Sequence, residues 1–272
     1  RTPSLLEDLA CNEAGDQTGD QTHRAEKYGH GLTGARSASI ETPPSRRGWP
    51  DRESGTAAVM DPETAGITGA RRFVPEGRLS LGRLASAATN CRGCPLWRGA
   101  SQVVFGEGSR TAELMLVGEQ PGDREDRDGR PFVGPAGLEL NRILDETGIE
   151  RNRLYVTNAV KHFKFHREGK RRIHDKPTRN EVKACRPWLD RELELVQPRA
   201  VVALGATAGR ELFGPGFRVT RHHGQFLENG PAEISVGTIH PSAIIRARDP
   251  DREAYREMLT GDLCAVIERL SS

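Results

Sequence analysis

The chain has 272 residues, enough for one large α/β domain or two small ones. Only 35% of them are hydrophobic against 29% charged, which is thin for a chain folded along its whole length and predicts an unfolded portion. The net charge of +2 excludes a histone-like or strongly acidic protein, while leaving room for a local basic patch.

Residues 1–75 scatter Gly, Ser, Thr, Pro and Arg without sustained periodicity and read as a disordered or non-native extension. They open on Arg1, the first methionine is Met60, and they are assigned no function. The N-terminus lacks the apolar core of a secretory signal, and no run of about 18 apolar residues predicts a membrane span, so a cytosolic protein without a membrane partner is expected. From residue 78 to 272 the pattern is that of a folded domain. Leu114, Met115, Leu116 and Val117 before Gly118 make a short apolar run suited to a buried parallel strand. Residues 136–147 carry Leu138, Leu140, Ile143 and Leu144 at helical spacing and close on Gly148. Strands are predicted over 154–160, 200–204 and 234–239, the last weakened by Gly237. Thr178 with Glu181 three residues on predicts a capping box for a helix to about residue 195, which Pro187 should bend or shorten. A last helix over 251–270 would bury Tyr255, Leu259, Leu263, Val266 and Ile267. Strands alternating with helices predict a three-layer α/β/α sandwich around a central, mostly parallel four-stranded sheet. Ligands bind at the carboxyl ends of such strands, here residues 118–126, 158–162, 205–207 and 240–242.

Five cysteines, Cys11, Cys91, Cys94, Cys185 and Cys264, point to a reducing compartment and to metal or cluster ligation. Cys91-Arg-Gly-Cys94 before Pro95 could serve zinc, a redox pair or a cluster. Cys185 is a candidate third ligand, unless it is simply a small buried residue. The fourth would be Cys264 or a non-cysteine, with His162 at a strand end the better choice.

Gly118-Glu-Gln-Pro-Gly-Asp-Arg-Glu-Asp126, Gly129-Arg-Pro-Phe-Val-Gly134, Tyr155-Val-Thr-Asn158, Leu204-Gly-Ala-Thr207 and His240-Pro-Ser242 follow in order. Together they resemble the family 4, iron–sulfur uracil-DNA glycosylases, collinearly from Cys91 to about residue 270. Three departures stand out: Gln120 where the family has Ala, the insertion Lys170-Arg-Arg-Ile-His174, and His162 where the family has Cys. The first two resemble the UdgX branch, whose members form a covalent complex with uracil-containing DNA. The resemblance implies a structural 4Fe–4S cluster on Cys91, Cys94, Cys185 and His162. It also implies uracil-containing DNA as partner, with single strands preferred and the protein a monomer.

Uracil excision leaves an oxocarbenium-like sugar and an anionic base, so the site must extrude the base, hold it and stabilise charge. By the resemblance, Phe132 stacks on the flipped base. The Asn158 amide offers the acceptor and donor that match uracil N3–H and O4 and mismatch cytosine. His240 donates to O2, while Gly118 and Gly122 let the backbone approach beside Glu119 and Gln120. His174 attacks C1′ while Glu119 takes the proton of its other nitrogen, giving an adduct without easy exit. The segment 161–176 holds seven Lys or Arg against two acids, +5 locally. Lys161, Lys170, Arg171 and Arg172, with Ser242, are therefore expected at DNA phosphates or in positioning the His174 loop, and Asp123 and Asp126 are expected to organise that loop by ion pairs. Two rival readings are an ordinary multiple-turnover glycosylase and a lesion-binding module without cleavage. Neither a GxxxxGK[ST] nor a GxGxxG nucleotide fingerprint is present.

Overall fold

The structure is a computed structural model that describes residues 67–272. Five strands form the main sheet: β1 (Glu107–Gly108), β2 (Leu114–Gly118), β3 (Tyr155–Asn158), β6 (Ala200–Leu204) and β7 (Ile234–Thr238). Their spatial order is β1-β3-β2-β6-β7. The four expected strands pair in parallel; the sheet gains a fifth, the two-residue β1, antiparallel to β3 at the edge. Two residues carry no periodicity, which is why composition gave no sign of it.

Every residue of β2, β3, β6 and β7 is buried, as near-continuous apolar strands covered on both faces should be. Leu114, Leu116, Val156 and Val202 pack against α3 (Pro135–Glu146), α7 (Pro241–Arg246) and α8 (Asp251–Ser271). The alternate residues Met115, Val117, Val201 and Ala203 pack against α4 (Arg179–Val196) and α5 (Ala206–Phe213). This period-two division of one strand between two helical layers produces the expected three-layer sandwich.

Thr178 caps α4 with the reciprocal Glu181 bond, and the helix runs through Pro187 without ending there. Leu138 and Tyr255, expected inside, are 54% and 36% exposed. The buried face of α3 is Gly137, Leu140, Ile143 and Leu144.

The basic segment, read from sequence as a loop, is a β-hairpin of β4 (Phe165–Glu168) and β5 (Arg171–His174). Its two-residue turn uses Gly169 at φ 57°, a conformation glycine adopts without steric cost. The expected unfolded stretch reached residue 75, but residues 67–75 include a buried contact. Thr68 and Gly69 donate to the Gly93 carbonyl, Ala70 donates to that of Ala184, and Ala70 is buried. The rest of that stretch, residues 1–66 with Cys11, lies outside the described residues.

Candidate functional site

The carboxyl ends of β2, β3, β6 and β7 open into one cavity of about 770 Å³. Glu119, Gln120, Phe132, Asn158, His174 and His240 all line it. Phe132 is buried and holds φ at 54°, a left-handed conformation that costs a non-glycine residue on the order of 1–3 kcal/mol. The loop is pinned at both ends against that strain. Arg151 donates to the Pro131 carbonyl at 2.9 Å, and the Glu125 carboxylate accepts the Gly134 N–H at 2.9 Å. The Phe132 ring lies 5.9 Å from the His240 ring, tilted by 32°, so two ring systems border the same space.

Asn158 ends β3, and its side-chain oxygen is buried without a hydrogen-bond partner among the described residues. A buried acceptor left open at a cavity wall costs free energy unless a ligand donates to it. Gly118, paired with Asn158 in register, leaves the room: a methyl group there would strike that oxygen and lie 2.6 Å from Phe132 Cζ.

His240 caps α7 from the end of the β7 segment. Its Nδ1 accepts the Ser242 N–H at 3.1 Å and lies 2.8 Å from Ser242 Oγ. With Nδ1 an acceptor, Nε2 carries the proton and is a donor. Burial, aided by the charge of Arg246 and the nearness of His174, lowers the His240 pKa to about 4, so the ring is neutral at neutral pH. Ser242, expected at phosphate or loop, lines the cavity with its hydroxyl engaged on this ring.

Across the cavity, Gln120 connects β2 to the hairpin. Its Oε1 accepts the Lys164 N–H at 3.0 Å and its Nε2 donates to the Asp175 carbonyl at 2.8 Å. These backbone partners fix which end of the amide is nitrogen, and that nitrogen lies 2.8 Å from His174 Nε2. Nε2 of His174 is then the acceptor, its one lone pair directed at the Gln120 amide. Glu119 Oε1 lies 3.9 Å from the same Nε2. That revises the expected geometry, because the carboxylate faces the nitrogen that Gln120 holds and not the opposite one. Thr207 donates to Glu119 Oε2, a contact that the Leu204–Thr207 motif gave no reason to assign.

Of the basic residues expected at phosphates or in positioning the His174 loop, Lys161 is turned inward and Arg172 holds the hairpin. Lys161 is fully buried, its ammonium 2.5 Å from Glu192 Oε2, 2.7 Å from Thr157 Oγ1 and 2.8 Å from the Asn158 carbonyl. Arg172, with a side chain 8% exposed, is gripped by Asp123 and Asp126. Its Nη1 lies 2.6 Å from Asp126 Oδ2 and its Nη2 donates to the Asp123 carbonyl at 3.2 Å. It therefore fastens the hairpin to α2 (Asp123–Asp128). Lys170 and Arg171, at the hairpin turn, are exposed. Lys176, one of the seven cations counted over 161–176, and Arg246, which sequence reasoning did not single out, line the cavity as further cations.

Cys91, Cys94 and Cys185 are buried in one cluster. Trp188 Nε1 donates to Cys91 Sγ at 3.3 Å, and the Lys161 backbone N–H donates to Cys185 Sγ at 3.3 Å. His162 follows Lys161 directly and is buried. Burial raises the Cys94 thiol to about 11 and raises Cys185 as well, while it lowers His162 to about 4. Among the described residues no three His, Cys, Asp or Glu side chains are arranged to hold a single metal ion. Cys264, the alternative fourth ligand, sits on α8, which packs on the other core.

Residues 105–264 match the model of the uracil DNA glycosylase superfamily. The chain is 38% identical over 174 residues to a type-4 uracil-DNA glycosylase of Sulfurisphaera tokodaii, covering 61% of this chain and 76% of the relative. It is 39% identical over 160 residues to one from Thermotoga maritima, covering 58% and 79%. Against one from Archaeoglobus fulgidus it is 34% identical over 193 residues, 68% of this chain and 94% of the relative.

Proposed function

Because the chain belongs to the uracil-DNA glycosylase superfamily, as a relative of its type-4 enzymes, we propose that it excises uracil from DNA and is itself captured on the deoxyribose through His174. The observation that carries this reading is the placement of His174 Nε2 at the cavity, 2.8 Å from the Gln120 amide nitrogen and 3.9 Å from Glu119.

The flipped base enters between Phe132 and His240. The open Asn158 oxygen accepts uracil N3–H and the amide nitrogen donates to O4, a pattern that cytosine reverses. As the bond from C1′ to N1 breaks, its electron pair passes to the base. His240 Nε2–H, neutral and therefore a true donor without charge to lose, stabilises the negative charge on O2. The Glu119 carboxylate, oriented by Thr207, faces the cationic sugar. His174 then turns out of the Gln120 hydrogen bond and its Nε2 lone pair forms a bond to C1′, the imidazolium loses its Nδ1 proton to solvent, and the departing uracil anion takes up a proton. Glu119 acts through its charge on the sugar, since it does not face Nδ1.

Cys91, Cys94, Cys185 and His162 would hold a 4Fe–4S cluster. The fit rests on three buried sulfurs in one nest, two of which already accept N–H donors. One ligand per corner iron asks for a wider arrangement than a single ion does. The cluster would supply a rigid fastening of the CxxC segment to α4. Single-stranded DNA is the proposed preferred partner of a monomer, with the exposed hairpin cations Lys170 and Arg171 on the phosphates. No helix among the described residues is long and apolar enough to cross a membrane.

Incubation with a uracil-containing oligonucleotide followed by a denaturing gel tests the proposal. The expected result is a heat- and SDS-stable shifted band that His174→Ala abolishes. Release of several equivalents of uracil with no stable band would instead establish ordinary turnover.

A further inference from the structure

Lys161 was among the cations expected at DNA phosphates or in positioning the His174 loop, yet its ammonium makes all three of its hydrogen bonds inside the protein. The acceptors are Thr157, the Asn158 carbonyl and Glu192. Glu192 in turn takes the Tyr155 hydroxyl at 2.9 Å and the Gly106 N–H at 3.1 Å. Both charged side chains are essentially without exposure. A buried pair of this kind seldom adds stability over apolar residues of equal size, so its chemistry points to holding a particular geometry.

What it holds is the base-reading residue. The Lys161 ammonium grips the main chain of Asn158, whose side-chain oxygen is the open acceptor at the cavity. The backbone of Lys161 is tied at its two ends, N–H to Cys185 Sγ at 3.3 Å and carbonyl to the Val104 N–H at 2.8 Å. The next residues back are bonded to β2, Ala159 N–H to the Gly118 carbonyl and Val160 N–H to that of Glu119. One short turn thus joins the cysteine nest, the buried ion pair and both pocket strands.

We propose that Lys161, with Glu192, is a positioning residue that sets the Asn158 amide for uracil, and that it takes no part in binding the DNA backbone. This rests on the uracil-excising reading above. The test uses Lys161→Met/Glu192→Gln, which leaves no buried charge and keeps an acceptor for Tyr155 and Gly106. Two oligonucleotides are compared as ligands, one with 2′-fluoro-2′-deoxyuridine, which resists cleavage, and one with a tetrahydrofuran abasic analogue. The wild-type protein should prefer the fluorinated uridine. The double variant should lose that preference while binding the abasic analogue with unchanged affinity and unchanged salt dependence. Its single-turnover uracil release at saturating DNA should fall on the order of 100-fold, as small misplacements of a positioning group do, with the half-saturating concentration for uracil-DNA rising by the factor of preference that is lost. Thr157→Val, which removes one acceptor and no charge, should shift the same two readouts less and serves if the double variant does not fold. Retained preference and rate would overturn the inference, as would a parallel loss of abasic-site binding. A wild-type protein without preference for the uridine ligand would sink the excision reading itself, and the inference with it.

Discussion

The amide nitrogen of Gln120 lies 2.8 Å from Nε2 of His174, and the same amide is locked by the backbone of Lys164 and Asp175. A donor held there selects the tautomer whose Nε2 lone pair is free of a proton. Gln120→Ala should slow adduct formation roughly 10-fold, about the worth of one hydrogen bond. Gln120→Glu should be worse than Gln120→Ala, because a carboxylate would draw a proton onto Nε2 and mask the nucleophile. The time course of the shifted band on a denaturing gel ranks the three proteins. Equal rates for the Ala and Glu variants would remove tautomer selection from the mechanism.

Gly118 is the second place where one atom decides the site. A methyl group there would meet both the Asn158 oxygen and the Phe132 ring. Gly118→Ala should therefore displace the amide or the ring, at a cost of about 1–3 kcal/mol typical of overpacking. The expected outcome is a loss of uracil excision on the order of 100-fold. Circular dichroism should remain that of a folded α/β protein, since β2 keeps its apolar residues.

The lowered pKa of His240 fixes the sign of two pH effects. The ring is neutral above about 4, so excision should lack a step near the ordinary histidine value of 6.5 on its account and should fall only as the pH approaches 4. In the unfolded chain His240 takes its proton near 6.5 and in the folded one only near 4. Its contribution to stability is therefore complete above the unfolded value and is lost as pH falls from 6.5 to 4, by at most about 3 kcal/mol. Denaturant midpoints across that window, with and without His240→Gln, measure it. The substitution should flatten the slope, and an unchanged slope would mean the ring titrates normally.

The sheet and its strand-end motifs were legible because they depend on local pattern: apolar runs ending in glycine or in a polar residue place 118, 158 and 240 at the cavity before any coordinates are known. The capping box at Thr178 was legible for the same reason. Charge was not. Counting lysines and arginines over 161–176 treats all of them as available to phosphate, whereas Lys161 is neutralised by Glu192, 31 residues away, and Arg172 by Asp123, 49 residues away. Asp123 and Asp126 were expected as ion-pairing residues, but nothing in the spacing named Arg172 as the residue they grip. The hairpin escaped for a related reason. Its strands are polar and exposed on most positions, so they lack the alternation that marks a half-buried strand.

That sorting of charges gives a last prediction. Exposed Lys170 and Arg171 sit at the hairpin turn, and each should contribute to phosphate neutralisation. Replacing either by Ala should reduce the salt slope of single-stranded DNA binding by about 0.7. Arg172→Ala should behave differently in kind. It leaves Asp126, which has no exposed side chain, as a buried carboxylate balanced among the described residues only by the Ser101 N–H, and separates the hairpin from α2. Removing one partner of such a pair costs about 3–5 kcal/mol, so the thermal midpoint should drop while the salt slope stays as it was. Because His174 ends the same strand, adduct formation should fall along with it. A salt slope that falls for Arg172→Ala as it does for Arg171→Ala would show that the guanidinium leaves Asp123 and Asp126 to meet the DNA.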